Sequence, residues 1–198
     1  MVWLIVFFIF YIATVIFSHR RQSRLMLFVT GAFGLAFLII QFAVMFNIHV
    51  RLAELEALQI KTLLSTINVQ TNILNGNTLT VPDQSGWVGM IIGVESSTII
   101  EIAVFVGVIL FYPKLNLKQR GLSLVVGVVG TYLLNLVRLL IIVASVMLFD
   151  RRVFPLAHNI VGRIIYFSGV ITLYWYLLTR PTLNIVRNNL IATQEAST

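Results

Sequence analysis

Apolar and polar positions follow one another in long blocks along this chain. Residues from Val2 to about Phe17 are almost all apolar and stop at HRRQSR, which carries Arg20, Arg21 and Arg24. A second apolar block runs from about Leu25 to Phe46, and a longer, more polar stretch occupies 47–92. A third block spans roughly 94–112 and is closed by PKLNLKQR, with Lys114, Lys118 and Arg120. A fourth begins at Gly121 and stays apolar to Phe149, interrupted by Asn135 and Arg138. After Asp150, Arg151 and Arg152, a last block runs from about Ala157 to Leu178, before Arg180 and Pro181. Blocks approaching ~20 residues match the hydrocarbon thickness of a bilayer. The pattern predicts an all-α polytopic membrane protein with five transmembrane helices, residues 1–198 forming a single transmembrane domain. The stretch Leu139 to Phe149 is too short to cross alone. It reads as an extension, a kinked continuation or a surface-lying helix, with a sixth crossing as the competing model.

The 47–92 stretch has a pattern of its own. Leu52, Leu55, Leu58, Leu63 and Ile67 recur at roughly helical spacing, with Glu54, Glu56 and Lys61 elsewhere on the wheel. An amphipathic helix lying on the membrane or against the bundle is expected. Then VQTNILNGNTLTV sets Asn75-Gly76 between β-prone runs, the signal for a tight hairpin whose turn needs positive φ. Pro82 and Gly86 are expected to close the loop. The segment reads as an external helix and hairpin forming a lid. The sharper alternative is a sheet edge that pairs with an extended peptide.

Composition changes this picture little. Hydrophobic residues make up 59% of the chain and charged ones 11%, against about 25% charged in soluble domains. The net charge of +7 would suit nucleic acid if it formed a patch. Its basic residues instead sit in short loops beside apolar blocks, so a bilayer and not nucleic acid is the expected partner. Arg20, Arg21, Arg24, Lys114, Lys118, Arg120, Arg180 and Arg187 then face the cytoplasm. The carboxy terminus is cytoplasmic, and the amino terminus and 47–92 lie outside. A multi-pass protein of a bacterial plasma membrane is expected. The first block lacks a basic leader and a small-residue cleavage site, so it reads as a retained anchor. The tail from Arg187 to Thr198 is expected to fray. The chain has no cysteine, which excludes disulfides, thiolate metal sites and iron–sulfur clusters. No cofactor or metal is expected.

Ionisable groups at membrane depth are expensive and therefore candidates for function. Glu95, Glu101, Arg138, His158 and Arg163 qualify, with Ser96, Asn135 and Asn159 as uncharged companions. With this topology Ser96, Arg138 and His158 converge at one level near the outer leaflet. Asn135 and Arg138 share a helix face at i,i+3. Gly162, four residues after His158, lets another backbone approach. Ser97 and Glu101 are also spaced i,i+4, and Glu101 suits an internal partner for Arg138 or Arg163. A hydroxyl or thiol nucleophile, an imidazole and a guanidinium make an acyl-transfer set. The imidazole moves the proton and the guanidinium stabilises an oxyanion. The rival reading is non-enzymatic: a polar seam that holds a helical partner in a membrane assembly. No G-x-S-x-G helix start supports a rhomboid-type serine protease.

The motifs GVESSTIIE, NLVR and HNIVG, in this order over roughly 88–178, resemble the exosortase/archaeosortase family of membrane transpeptidases, closest to its short Gram-positive type. The resemblance implies that Ser96 stands where the family has a nucleophilic cysteine. It implies that Arg138 and Asn135 are the arginine and asparagine of N-x-x-R, and that His158 is the third member. It implies cleavage of a carboxy-terminal sorting signal (a short motif, a membrane helix and a basic tail) on a secreted protein, with transfer to a surface acceptor. The serine departs from the family. A thiol has a pKa near 8.5, within reach of activation, whereas a hydroxyl needs a fully developed base and oxyanion hole. That contrast favours a replaced cysteine over a natural serine.

Overall fold

The computed structural model describes residues 2–83, 86–183 and 187. The expected frayed tail lies outside the described residues apart from Arg187. Helix α1 (Val2–Arg20) and helix α2 (Arg24–Met45) form a pair joined by a tight turn. Ser23 caps α2 by accepting a hydrogen bond from the Met26 backbone N–H. The Tyr11 hydroxyl donates to the Gly31 carbonyl at 3.1 Å, and the Phe7 and Phe37 rings meet. Helix α3 (Ile48–Thr66) follows, then strands β1 (Asn72–Leu74), β2 (Thr78–Asp83) and β3 (Gly86–Ile91), then α4 (Ile99–Phe111) and α5 (Leu117–Phe149). The last helix, α6, runs Arg151–Leu183. It opens in a 3-10 turn and carries π-turns at Ala157–Val161 and Trp175–Thr179.

Among the described residues four helices (α1, α2, α5 and α6) are long and apolar enough to cross a membrane. Helix α4 has 13 residues and spans about 20 Å, shorter than the ~30 Å hydrocarbon core. It is wedged between α2 and α5. Small residues allow this: Gly31, Ala32 and Ala36 on α2 and Ala103 on α4 are buried. A Cβ on Gly107 would overlap the Ala32 carbonyl. Because the clash is with backbone, α2 and α4 would have to separate. Gly107→Ala is therefore expected to cost about 1–3 kcal/mol, read as a lower midpoint of thermal aggregation in detergent.

Helix α5 settles the conformation of Leu139–Phe149. It is uninterrupted over 33 residues, about 50 Å long, so it outreaches the hydrocarbon core by roughly 20 Å. The expected extension is what forms, with no break for a turn. Its start is set by a capping box in which Asn116 and Gln119 cap each other's backbone N–H. Leu139, Ile142, Val143 and Val146 are apolar because they meet protein: they pack with Ala53, Ala57, Ile60 and Leu64 of α3 and Leu79, Val81, Met90 and Ile92 from the sheet region. A small globular core thus sits at one end of the helices. At the opposite end Phe105, Ile109, Leu115 and Leu178 cluster, Tyr112 and Thr182 share a 2.9 Å hydrogen bond, and Arg120 donates to the Tyr112 carbonyl.

The sheet is antiparallel in the order β1-β2-β3. Asn75 and Gly76 both take positive φ (51° and 78°) as the hairpin reading requires. The loop holds three residues, since Leu74 pairs with Thr78. Pro82 and Gly86 do not close a loop. Pro82 pairs with Trp87 and Asp83 with Gly86, so the chain turns again and adds β3. The amphipathic helix is present, but its leucine stripe is not its packed face. Leu55, Leu58, Leu63 and Ile67 are exposed, and the buried face is Ala53, Glu56, Ala57, Ile60 and Leu64. Small residues let α3 approach α5 and the sheet closely, which leaves those leucines exposed.

Candidate functional site

The segment between β3 and α4 carries the first candidate. Val94–Ser96 forms one 3-10 turn, and α4 begins only at Ile99. Ser96 therefore precedes the helix, and the Ser97–Glu101 spacing does not place those residues on one helical face. Ser97 instead donates to the Val94 carbonyl at 3.0 Å. Thr98 joins the two pieces with φ of 61°, a strained backbone for a β-branched residue. Such strain persists only where surrounding contacts over-determine it.

Those contacts converge on a carboxyl group that the sequence pattern assigned to the exposed face of α3. Glu56 is fully buried, 0% exposed. Its Oε1 accepts from the Thr98 hydroxyl at 2.6 Å and from Asn135 Nδ2 at 3.0 Å. Asn135 Nδ2 also donates to the Ser96 carbonyl at 2.7 Å. Three elements distant in sequence are thus tied through one glutamate, and the backbone at Ser96 is fixed against α5. Glu56 Oε2 is buried with no partner among the described residues. Burial raises the Glu56 carboxyl to about 7, although the bonds from Thr98 and Asn135 pull it down. A negative charge with one bare buried oxygen is costly. A proton on Oε2 removes that cost.

Arg138 lies one turn beyond Asn135 on α5 and is 4% exposed. Its guanidinium stands over the Tyr166 ring, 5.7 Å from the centroid, and its Nε has no hydrogen-bond partner among the described residues. Gly162 makes room for this arginine: a Cβ there would stand 3.3 Å from Arg138 Cγ and 3.0 Å from the Ala157 carbonyl. The close approach expected at Gly162 is real, but the Arg138 stem occupies it. His158 is half-buried in the first π-turn of α6, with its ring stacked on Phe154 at 5.4 Å between centroids. Ser96 and His158 line one cleft of about 30 Å³, walled by Met90, Ile92, Ile142 and Phe154. Ser96 is 7% exposed, and no hydrogen bond to its hydroxyl is seen among the described residues.

The other candidates divide. Asn135 is 1% exposed and central. Glu95, Asn159 and Arg163 are exposed. Glu95 lies on the 3-10 turn before the helix, and the other two lie on the face of α6 away from buried Gly162 and Tyr166. Glu101 is the third residue of α4 and lines a different groove, about 560 Å³ between α4, α5 and α6, with Thr131 and Tyr174. Among the described residues it forms no ion pair with Arg138 or Arg163, and its Oε2 is unpartnered. The residues missed by sequence reading are Glu56, Thr98 and Tyr166. A signal for Glu56 existed: it falls on the Ala53–Ala57–Ile60–Leu64 face, at i+3 from Ala53.

Among the described residues these features define a mainly helical protein, with four helices long and apolar enough to cross a membrane and a polar cluster beside a small antiparallel sheet. No family model matches the chain, and no similar sequence among curated proteins and no similar solved structure is found.

Proposed function

We propose that this chain is a membrane-embedded transpeptidase of the exosortase type, with Ser96 at the position of the nucleophile. The observation that carries the reading is the shared cleft of Ser96 and His158, with Asn135 of the NLVR motif bonded to the Ser96 carbonyl. Arg138 of the same motif is one turn away. In this reading there are five crossings, counting the short α4. The cap faces the outside of a bacterial plasma membrane, and the arginine-rich end and the carboxy terminus face the cytoplasm.

The chemistry follows from the groups present. A nucleophile at residue 96 attacks the scissile carbonyl of a carboxy-terminal sorting signal and forms a tetrahedral oxyanion. Arg138 is not among the residues lining the Ser96–His158 cleft, so in this reading its guanidinium turns from Tyr166 to meet that charge. Expelling the amine breaks the C–N bond, and His158 returns to the amine the proton it took from the nucleophile. The product is an acyl-enzyme: a thioester with cysteine, an ester with the serine present here. A surface acceptor then attacks it. Arg138 holds its charge throughout, so it can meet the oxyanion without a proton transfer.

Replacing the hydroxyl by a thiol tests the site directly. Ser96→Cys is expected to react with a membrane-impermeant maleimide added outside intact cells, and mass spectrometry of the variant to find an acyl adduct on residue 96. A Ser96→Cys variant that stays unlabelled, while a cysteine placed at exposed Glu54 reacts, counts against the reading. The buried Glu56–Asn135–Thr98 hub is fully internal, so it ties this chain's own elements together and offers no group to a helical partner. Alanine at Arg138 separates the enzyme from the rival seam reading: loss of processing with folded protein retained supports the enzyme, and loss of folded protein supports the seam.

A further inference from the structure

Strand β3 is an edge strand, pairing only with β2 among the described residues. Antiparallel ladders alternate hydrogen-bonded and non-bonded pairs. The Ile92 backbone N–H donates to the Asn77 carbonyl at 2.9 Å, which fixes the phase. Val88, Met90 and Ile92 then point their backbone groups at the β2 side, and Trp87, Gly89 and Ile91 point theirs outward. This edge has none of the usual protection. GWVGMI contains no charge and no proline, the features that normally block strand addition. Trp87 is 53% and Ile91 72% exposed.

The position of the edge matters as much as its chemistry. The end of β3 leads into the candidate cleft: Met90, Ile91 and Ile92 line it together with Ser96 and His158. The linker at Gly93 is open, with nothing within 4 Å of where a Cβ would stand. A row of outward N–H and C=O groups at strand spacing is satisfied in full by one kind of ligand, an extended polypeptide. We infer that the free edge of β3 is a peptide-docking site that binds an extended segment by strand addition and delivers it to residue 96. This deepens the function proposed above and rests on it for the identity of the peptide as substrate. The docking itself does not depend on chemistry at Ser96.

The test uses the full chain in detergent with p-benzoylphenylalanine introduced at Trp87. The probe is a biotinylated (Thr-Val)5 peptide, compared with an analogue N-methylated at alternate residues, which keeps the side chains but loses one edge of donors. Crosslinking to the first, and at least tenfold less to the second, is expected. Gly89→Pro removes one outward N–H and leaves the ladder to β2 intact, and the nearest atoms to a Cβ there are 3.6 Å away. It should lower the crosslink about tenfold, whereas Gly89→Ala, which keeps the N–H, should retain most of it. Equal crosslinking of the two peptides, or a crosslink between two copies of this chain in place of peptide, overturns the proposal. Labelling of Ser96→Cys is scored separately. A docking edge together with an unreactive thiol in the Ser96→Cys variant sinks the transpeptidase reading alone. A reactive thiol there with no strand-dependent crosslink sinks the docking site alone.

Discussion

If the proposed transpeptidase reading holds, replacing Arg138 by alanine is expected to reduce processing of a surface protein ending in a membrane helix and basic tail by about 10²–10³-fold, the range for losing an oxyanion donor. The readout is the mass shift of that surface protein, with the amount of folded chain followed by size-exclusion elution. Arg138 stands over Tyr166 without an ion pair within 4 Å among the described residues, so its removal breaks no salt bridge there. Its buried stem packs against Gly162, and some loss of stability accompanies the change. Arg138→Lys keeps charge and most of that stem, but it cannot present a planar fork. It should elute like the parent and still lose most activity. If both variants lose folded protein in proportion to activity, the residues form a structural seam and the catalytic assignment fails.

The second large effect concerns Glu56. Its side chain is buried, and Thr98 and Asn135 both donate to it. Glu56→Ala leaves a buried hydroxyl without its acceptor and opens a cavity, which together are expected to cost about 3–5 kcal/mol. Glu56→Gln keeps an acceptor in place of Oε1 and mimics the protonated acid, so its cost is small at low pH. The sign of the pH dependence follows from linkage. The folded carboxyl is raised from 4.5 to about 7, so between these values the folded state holds a proton that the unfolded state has released. Stability is fully present below about pH 4.5 and falls as pH rises through about 7. The whole loss is roughly 3 kcal/mol. Glu56→Gln removes that slope: the parent and the variant should match near pH 4.5, and the variant should be the more stable at about pH 8.5. Thermal unfolding in detergent at the two pH values reads the difference. A parent that gains on the variant as pH rises would mean that Glu56 is ionised and paired in the fold.

The residues of the candidate site were unevenly legible. Asn135 and Arg138 stood out because each interrupts an apolar block, and a polar group at membrane depth needs a reason. Ser96 and His158 stood out through motif order. Glu56 did not, because a glutamate on an amphipathic helix is ordinarily solvated and four leucines and an isoleucine marked the opposite face as the packed one. The structure inverts that assignment: alanines make the contact and the leucines stay exposed. Glu95, Asn159 and Arg163 are exposed, outside the buried cluster. Each lies beside a site residue in sequence, but the turn at Val94–Ser96 and the rotation along α6 direct them outward.

The sequence by itself determined the helical blocks and the hairpin at Asn75-Gly76, but not the helix ends: Lys118 and Arg120 lie inside α5, and Arg151, Arg152 and Arg180 inside α6, where basic loops were expected. The blocks and the hairpin are local matters, set by runs of apolar side chains and by the backbone needs of a few turn residues. Only the tertiary structure decided that Leu139, Ile142, Val143 and Val146 are core while Leu148 and Phe149 stay exposed, that β3 exists with one edge open, and that Glu56 sits inside. Apolar side chains bury equally well against lipid or protein, and a carboxyl is stable inside only if two other elements bring it donors. Neither fact is visible until α3, α5 and the Ser96 turn are in contact.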